Sequence, residues 1–284
     1  FPYTSLSADG QRNSSANLFA FTSSVAPIYP LYVRDGQGNI MKNDAGITMY
    51  DYGDGMNAGL TRPLLPNANG LADSRLNTDR SEGNAFNGTG FFDILFLKDF
   101  KFTFNVGVSL DETRRTTVQN PYFGQFADEN GIIGKYHTRD FSHNLQQILN
   151  YTKVIGKHNV NVMLGHEYYQ RRQYLLYGST PNMFSPDNDE LAGAVIDKQS
   201  ATSYVITYNN EGYFGRAQYD YDGKYFFSAS YRRDASSRFH PSHRWGNFWS
   251  LGAAWSINRD SWFNASWVNM LKVKASYGSQ GNAN

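Results

Sequence analysis

The stretch from Tyr213 to Tyr277 alternates aromatic or apolar residues with polar ones at a period of two, and that period restricts the chain to extended structure with two chemically different faces. Tyr213, Ala217, Tyr219 and Tyr221 stand against Arg216, Gln218 and Asp220. Tyr225, Phe227, Ala229 and Tyr231 stand against Lys224, Ser228, Ser230 and Arg232. Trp249, Leu251, Ala253, Trp255 and Ile257 oppose Ser250, Gly252, Ala254 and Ser256, and Leu271, Val273, Ala275 and Tyr277 oppose Lys272, Lys274 and Ser276. Four strands with one face suited to lipid and the other to water are the pattern of a transmembrane β-barrel.

The strand expected at Phe100–Asp111 tests the environment most cleanly. Phe100, Phe102, Phe104, Val106, Val108 and Leu110 point one way, and Lys101, Thr103, Asn105, Gly107, Ser109 and Asp111 the other. This unbroken run exceeds the roughly 9 to 11 residues that a tilted strand needs to cross hydrocarbon. An antiparallel sheet with one face on a soluble core would show the same alternation. Composition narrows the choice. The 284 residues are 16% aromatic, with 20 Tyr, 20 Phe and 26 Gly, rich in strand formers and turn residues. Apolar runs such as Ile94 to Leu97 fall far short of the ~20 residues of a spanning helix. A net charge of +1 gives no nucleic-acid footprint, and the absence of Cys fits an envelope protein as well as any thiol-free chain. Phe1-Pro2-Tyr3-Thr4 lacks the basic and apolar regions of a signal peptide, so a mature chain or a fragment is expected.

About eight strands are expected, at Phe91 to Phe96, Phe100 to Asp111, Thr138 to Lys153, Val160 to Arg172, Ser203 to Asp220, Lys224 to Asp234, Trp245 to Ile257 and Val268 to Tyr277. Short turns at Leu97 to Asp99, Val154 to Asn159 and Tyr221 to Gly223 alternate with long connections at 112–137, 173–202 and 235–244, as periplasmic turns and extracellular loops do. Around Tyr221-Asp222-Gly223 a three-residue loop is expected to set Tyr219 beside Tyr225 and Asp220 opposite Lys224, with Gly223 left-handed. The chain thus divides into 1–90, a long extracellular loop region, and 91–284, the transmembrane strands. Residues 1–90 carry Pro27, Pro30, Pro63 and Pro66 without a sustained period, with a short strand expected around Leu18 to Thr22. Tyr29, Tyr32, Tyr50 and Tyr52 suit either an ordered cap that touches ligand or a loop packed onto itself.

Several motifs carry a resemblance. Tyr213-Phe-Gly-Arg-Ala-Gln-Tyr-Asp-Tyr-Asp-Gly-Lys-Tyr225, then Ser230-Tyr-Arg-Arg-Asp-Ala-Ser-Ser-Arg-Phe239, Trp245-Gly-Asn-Phe-Trp-Ser250 and Leu271-Lys-Val-Lys-Ala-Ser-Tyr-Gly-Ser-Gln-Gly-Asn282 resemble the barrel of SusC/RagA-type TonB-dependent transporters. Ala26-Pro-Ile-Tyr-Pro30 and Phe96-Leu-Lys-Asp-Phe100 are weaker matches in the same order. Ala235 stands where the family usually has Gly, and Trp249 where Pro is common. The resemblance implies a plugged barrel of about 22 strands, of which this chain supplies about eight from the middle. It also implies a Gram-negative outer-membrane location and TonB-energised import of oligosaccharides or peptides. The implied partners are a SusD-like surface lipoprotein, TonB through the absent N-terminal region, and the lipid bilayer.

Enzymatic and metal chemistry find little support in the residues. Asp140, Ser142 and His143 are near-contiguous strand positions whose side chains alternate faces, so they do not converge as a triad must. His240-Pro-Ser-His243 lacks a third ligand for zinc, and Asp187-Asn-Asp-Glu190 and Asp128-Glu-Asn130 lack EF-hand spacing. No catalytic, cofactor or metal site is assigned. The candidate functional residues are Arg216, Gln218, Asp220, Arg232, Asp234, Lys272 and Lys274, expected to face the lumen, either lining the path and holding the plug or forming a structural charge ladder. A passive porin and a secreted carbohydrate-binding β-sandwich are the alternatives.

Overall fold

The computed structural model describes residues 18–65, 68–124, 126–195, 199–265 and 267–281. The opening Phe1-Pro2-Tyr3-Thr4, Pro66 and the final Asn282 of the last motif lie outside them. Eight strands form one sheet in simple sequential order: β1 (Thr78–Phe96), β2 (Phe100–Gln119), β3 (Ile132–Ile155), β4 (His158–Pro181), β5 (Ser200–Tyr221), β6 (Tyr225–Ser236), β7 (Trp245–Ser256) and β8 (Lys272–Ser279). The linear order leaves β1 and β8 as edges, so this is one open sheet rather than two packed sheets. Among the described residues no helix is long and apolar enough to cross a membrane.

The strand count agrees with the sequence, but several boundaries do not. The first strand starts at Thr78, not Phe91, and β2, β3 and β4 run far into the stretches expected to be loops. What remains of those loops is 120–131 and 182–199. None of the extensions keeps a sustained apolar-polar alternation, and backbone pairing with the adjacent strand holds them. Alternation of connection length also fails once. Turns 97–99, 156–157 and 222–224 share an end of the sheet with the much longer connection 257–271.

The chain folds as two compact units. One comprises Phe1–Asn84, Glu112–Arg139 and Tyr174–Tyr204. Here the strand expected near Leu18 is instead a helix, α1 (Leu18–Ser24), continued by Val25 N–H donating to Phe21 O and stopped before Pro27. A short meander follows, bridged at Tyr32 to Tyr50, Arg34 to Ile40 and Lys42 to Thr48. Its reversals place Gly38 and Gly46 at φ 87° and 77°, where a side chain would be strained. A second helix, α2 (Gly70–Leu76), starts at Asn69, whose side chain accepts from the Leu71 and Ala72 N–H groups. The Asn69 amide also donates to Leu31 O and Asp51 O, tying the helix to the meander. Tyr50, Tyr52 and Ala72 form a core with Tyr32, Leu71, Leu76 and Phe123, and a second core gathers Val118, Ile133, Met183 and Ala194. Tyr32, Tyr50 and Tyr52 are therefore committed to internal packing.

The other unit comprises Ala85–Asp111, Asp140–Gln173 and Val205–Asn284. The expected two faces are evident at β1–β3. Phe92 meets Phe104 at 5.5 Å, Phe96 meets Phe100 at 5.4 Å, and Phe100 meets Tyr151 at 4.8 Å. On the opposite face Thr103 and Lys101 reach Asp93 at 2.6 and 3.0 Å, and Asn105 donates to Gln146 at 2.8 Å.

Candidate functional site

The polar face of β5–β8 is built by register. Arg216 pairs with Ser230, Gln218 with Ser228, Asp220 with Phe226, Phe214 with Arg232 and Gly212 with Asp234. Ser228 in turn pairs with Gly252, which pairs with Ser276, and Lys274 and Lys272 sit beside Ala254 and Ser256. Directly opposed residues share a face, so all seven candidate residues lie on one face of the sheet. The same register aligns aromatic rows on the other face: Tyr221, Tyr225, Trp255 and Val273 at the turn end, then Tyr219, Phe227, Ala253 and Ala275, then Ala217, Ala229, Leu251 and Tyr277. Two positions higher stand Tyr231 and Trp249, and beyond them Arg233 and Asn247.

The hairpin at Tyr221 to Tyr225 keeps its expected parity but not its expected partners. Tyr219 faces Phe227 rather than Tyr225, and Asp220 faces Phe226 rather than Lys224. The loop is 222–224, with Asp222 at φ 56° and Gly223 at φ 64°, both left-handed, and Lys224 N–H donates to Tyr221 O at 2.9 Å. The loop sits one residue later because Asp222 is held from the neighbouring turn. Its N–H donates to Lys157 O at 2.7 Å, and its carboxylate meets Lys157 Nζ at 3.0 Å. That lysine holds the Asp222 carboxyl below the usual carboxylate range. Asp220 meanwhile accepts from Gly223 N–H at 2.7 Å.

Arg232 is the best-anchored of the seven. Its Nε lies 2.8 Å from both oxygens of Asp234, its outer nitrogen reaches Glu167 at 3.3 Å, and its guanidinium lies 5.4 Å from the Phe214 ring centroid. Lys272 rests its ammonium 3.6 Å from the centre of the Phe226 ring. A groove of about 620 Å³ runs across this face, lined among others by Asn161, Gln218, Asp220, Lys272, Lys274 and Ser276. The arrangement offers fixed charges, amides and hydroxyls on a wettable wall, and no nucleophile paired with a base.

Sequence reasoning missed Glu167, Phe214 and Phe226 on this face. The aromatics occupy even positions in strands otherwise read as aromatic-odd, and Glu167 lies on β4, whose positions on this face are odd because Asn161 lines the same groove as Gln218. Gly165 leaves the space that the Phe214 ring fills; a Cβ there would lie 2.2 Å from the nearest ring carbon. Among the discarded motifs, Asp140 is bound by Arg171 at 2.8 and 2.9 Å, while His143 packs on Phe141 and Tyr168. Asp189 and Glu190 meet Lys135, and among the described residues no group of three or more ligating side chains gathers to hold a metal.

No protein-family model matches the chain. Over 222 residues it is 29% identical to the TonB-dependent receptor SusC of Bacteroides thetaiotaomicron, covering 76% of this chain and 21% of that receptor. It is 25% identical over 268 residues to the TonB-dependent receptor P26 of Formosa agariphila, covering 90% of this chain and 25% of that protein. Among solved structures, the RagAB peptide transporter superposes with a TM-score of 0.70 at 24% identity, over 84% of this chain and 26% of that one. The RagAB peptide importer in its open-open state gives 0.66 at 25% identity, over 79% and 24%. The chain is thus similar in sequence to stretches of TonB-dependent receptors and in fold to part of the RagAB transporter. It spans between a fifth and a quarter of the length of these curated relatives. The eight-stranded antiparallel sheet is thus a part of a larger wall, and the two edges at β1 and β8 are where such a wall would continue.

Proposed function

We propose that this segment belongs to an outer-membrane importer that takes up oligosaccharides or peptides, is energised through TonB, and works beneath a SusD-like surface lipoprotein. The observation that carries the reading is the register of β5–β8, with charged and amide side chains on one face and aligned Tyr, Trp, Phe and Leu rows on the other. A wall of this kind separates lipid from a wet interior. Arg216, Gln218, Asp220, Arg232, Asp234, Lys272 and Lys274 face the lumen in this reading, and the ion-paired Arg232 and Asp234 act first as a structural ladder. The strands span the outer membrane of a Gram-negative cell, and the region ahead of β1 stands on the extracellular side. Performing no covalent chemistry, the protein moves its substrate by conformational change elsewhere in the receptor.

The deciding experiment measures accumulation of labelled oligosaccharide and oligopeptide pools in cells carrying the full receptor, with and without a proton uncoupler and with and without TonB. Uptake that disappears in both depleted conditions is the expected result. Uptake indifferent to both would assign a passive pore instead.

A further inference from the structure

The connection 257–271 is longer than reversing the chain requires, since 97–99, 156–157 and 222–224 achieve the same reversal at the same end of the sheet. It is a closed loop with its neck pinned. Ile257 N–H donates to Leu271 O at 2.8 Å, Leu271 N–H donates to the Asn258 side chain at 3.2 Å, and Asn258 Nδ2 donates to Asn269 O at 3.3 Å. Inside the loop Asp260 is the organising polar group. It accepts from Trp255 Nε1 at 2.7 Å and from the Tyr225 hydroxyl at 3.5 Å, and Lys224 Nζ lies 3.6 Å away. With its polar group turned inward, the loop leaves its large apolar side chains outside: Trp262, Trp267 and Met270 are 62%, 85% and 75% exposed. So much aromatic surface on a short loop is costly in water unless something covers it.

The geometry points to what covers it. Trp262 packs against Trp255 at 6.1 Å between centroids, and Trp255 stacks on Tyr225 at 6.3 Å. Both belong to the aromatic row that ends the apolar face of β5–β8. The loop therefore continues the lipid-facing surface past the last strand residue, to the depth where an aromatic girdle meets headgroups. Within the loop, Arg259 carries the positive charge that phosphates attract. We propose that 257–271 is a membrane-surface anchor that lays Trp262 and Trp267 among the phospholipid headgroups of the leaflet at the short-turn end. This inference rests on the reading that the Tyr225 and Trp255 face meets lipid. The other turns at that end are too short to contribute such a contact, so the anchor fixes the depth of this side of the wall.

The test uses nitroxide labels at single cysteines introduced into the full receptor, reconstituted in phospholipid vesicles; this chain itself contributes no competing Cys. Leu251→Cys reports the middle of the apolar face and Ser250→Cys the opposite face. Trp267→Cys and, should that variant fold poorly, Met270→Cys report the loop. The expected pattern is oxygen-rich, metal-chelate-poor accessibility at 251, the reverse at 250, and an intermediate headgroup-level ratio at 267 and 270. A label at 251 that reads as aqueous overturns the lipid-facing reading itself. Labels at 267 and 270 as water-accessible as 250, with 251 still deep, overturn the anchor alone.

Discussion

Replacing Ala229 by Arg and comparing it with Ser230 replaced by Arg isolates the one property on which the reading depends, which is the face a residue occupies. Ala229 sits four residues from Tyr225 at the turn end and four from Arg233 at the far end, about 13 Å from each along an antiparallel strand. It is therefore central in the apolar face, between Ala217 and Leu251. Because Ala is small and exposed, A229R removes almost no packing, and its cost is the cost of placing a guanidinium at that depth. For a lipid-facing residue at mid-membrane that cost is about 2–4 kcal/mol, equivalent to roughly 30- to 900-fold in the folding equilibrium. Ser230, one residue on, pairs with Arg216 and Ser250 on the polar face, where an added cation meets water. S230R should therefore cost less than ~1 kcal/mol, the residual penalty coming from like charge opposite Arg216. Folding of the full receptor into phospholipid vesicles, titrated with denaturant, measures both. Equal midpoints for A229R and S230R would refute the face assignment, whatever their absolute values.

Three further outcomes are expected. Gly165→Ala drives a methyl into the Phe214 ring and should destabilise the wall by about 1–3 kcal/mol; Phe214→Leu in the same molecule should recover much of the loss, and a double-mutant cycle with no coupling would contradict the contact. Gly223→Ala forces a side chain to φ 64° beside the Arg259 guanidinium, with an expected cost of about 1 kcal/mol in the same denaturant titration, and an unchanged midpoint would mean the turn adopts another form. Burial in the first turn of α2 raises the Asp73 carboxyl to about 7, against the opposing effect of the Tyr52 hydroxyl, which donates to it at 3.3 Å. The native state then binds a proton that the unfolded chain has released, so the stability of the α2 region is full below the unfolded carboxyl's value, falls as pH rises, and levels off above about pH 7. Hydrogen exchange of the 70–77 amides, corrected for intrinsic rates, should show protection declining over that window in the wild type and flat in Asp73→Asn; parallel profiles would remove the buried carboxyl as the cause.

The sequence by itself determined which residues share a face. Side-chain direction in a strand alternates whatever the partner, so Arg216, Gln218 and Asp220 had to oppose Tyr219 and Tyr221, and the same holds for Phe100 to Leu110 against Lys101 to Asp111. It also placed most of the reversals, because Gly and Asp mark them locally. Tertiary structure decided how far the strands run and which residues pair. The stretch from Thr78 to Gly90 has no apolar period to announce a strand, and it is extended because β2 offers it a backbone ladder. Sliding the Tyr221 hairpin by one pair leaves every side chain on its own face, so patterning is blind to the difference between Tyr219 opposite Tyr225 and Tyr219 opposite Phe227. The contacts of Asp222 with Lys157, far away in sequence, select the second. Glu167 joins Arg232 for a similar reason: the phase of β4 against β5 is a property of the assembled sheet, and no local signal in either strand encodes it.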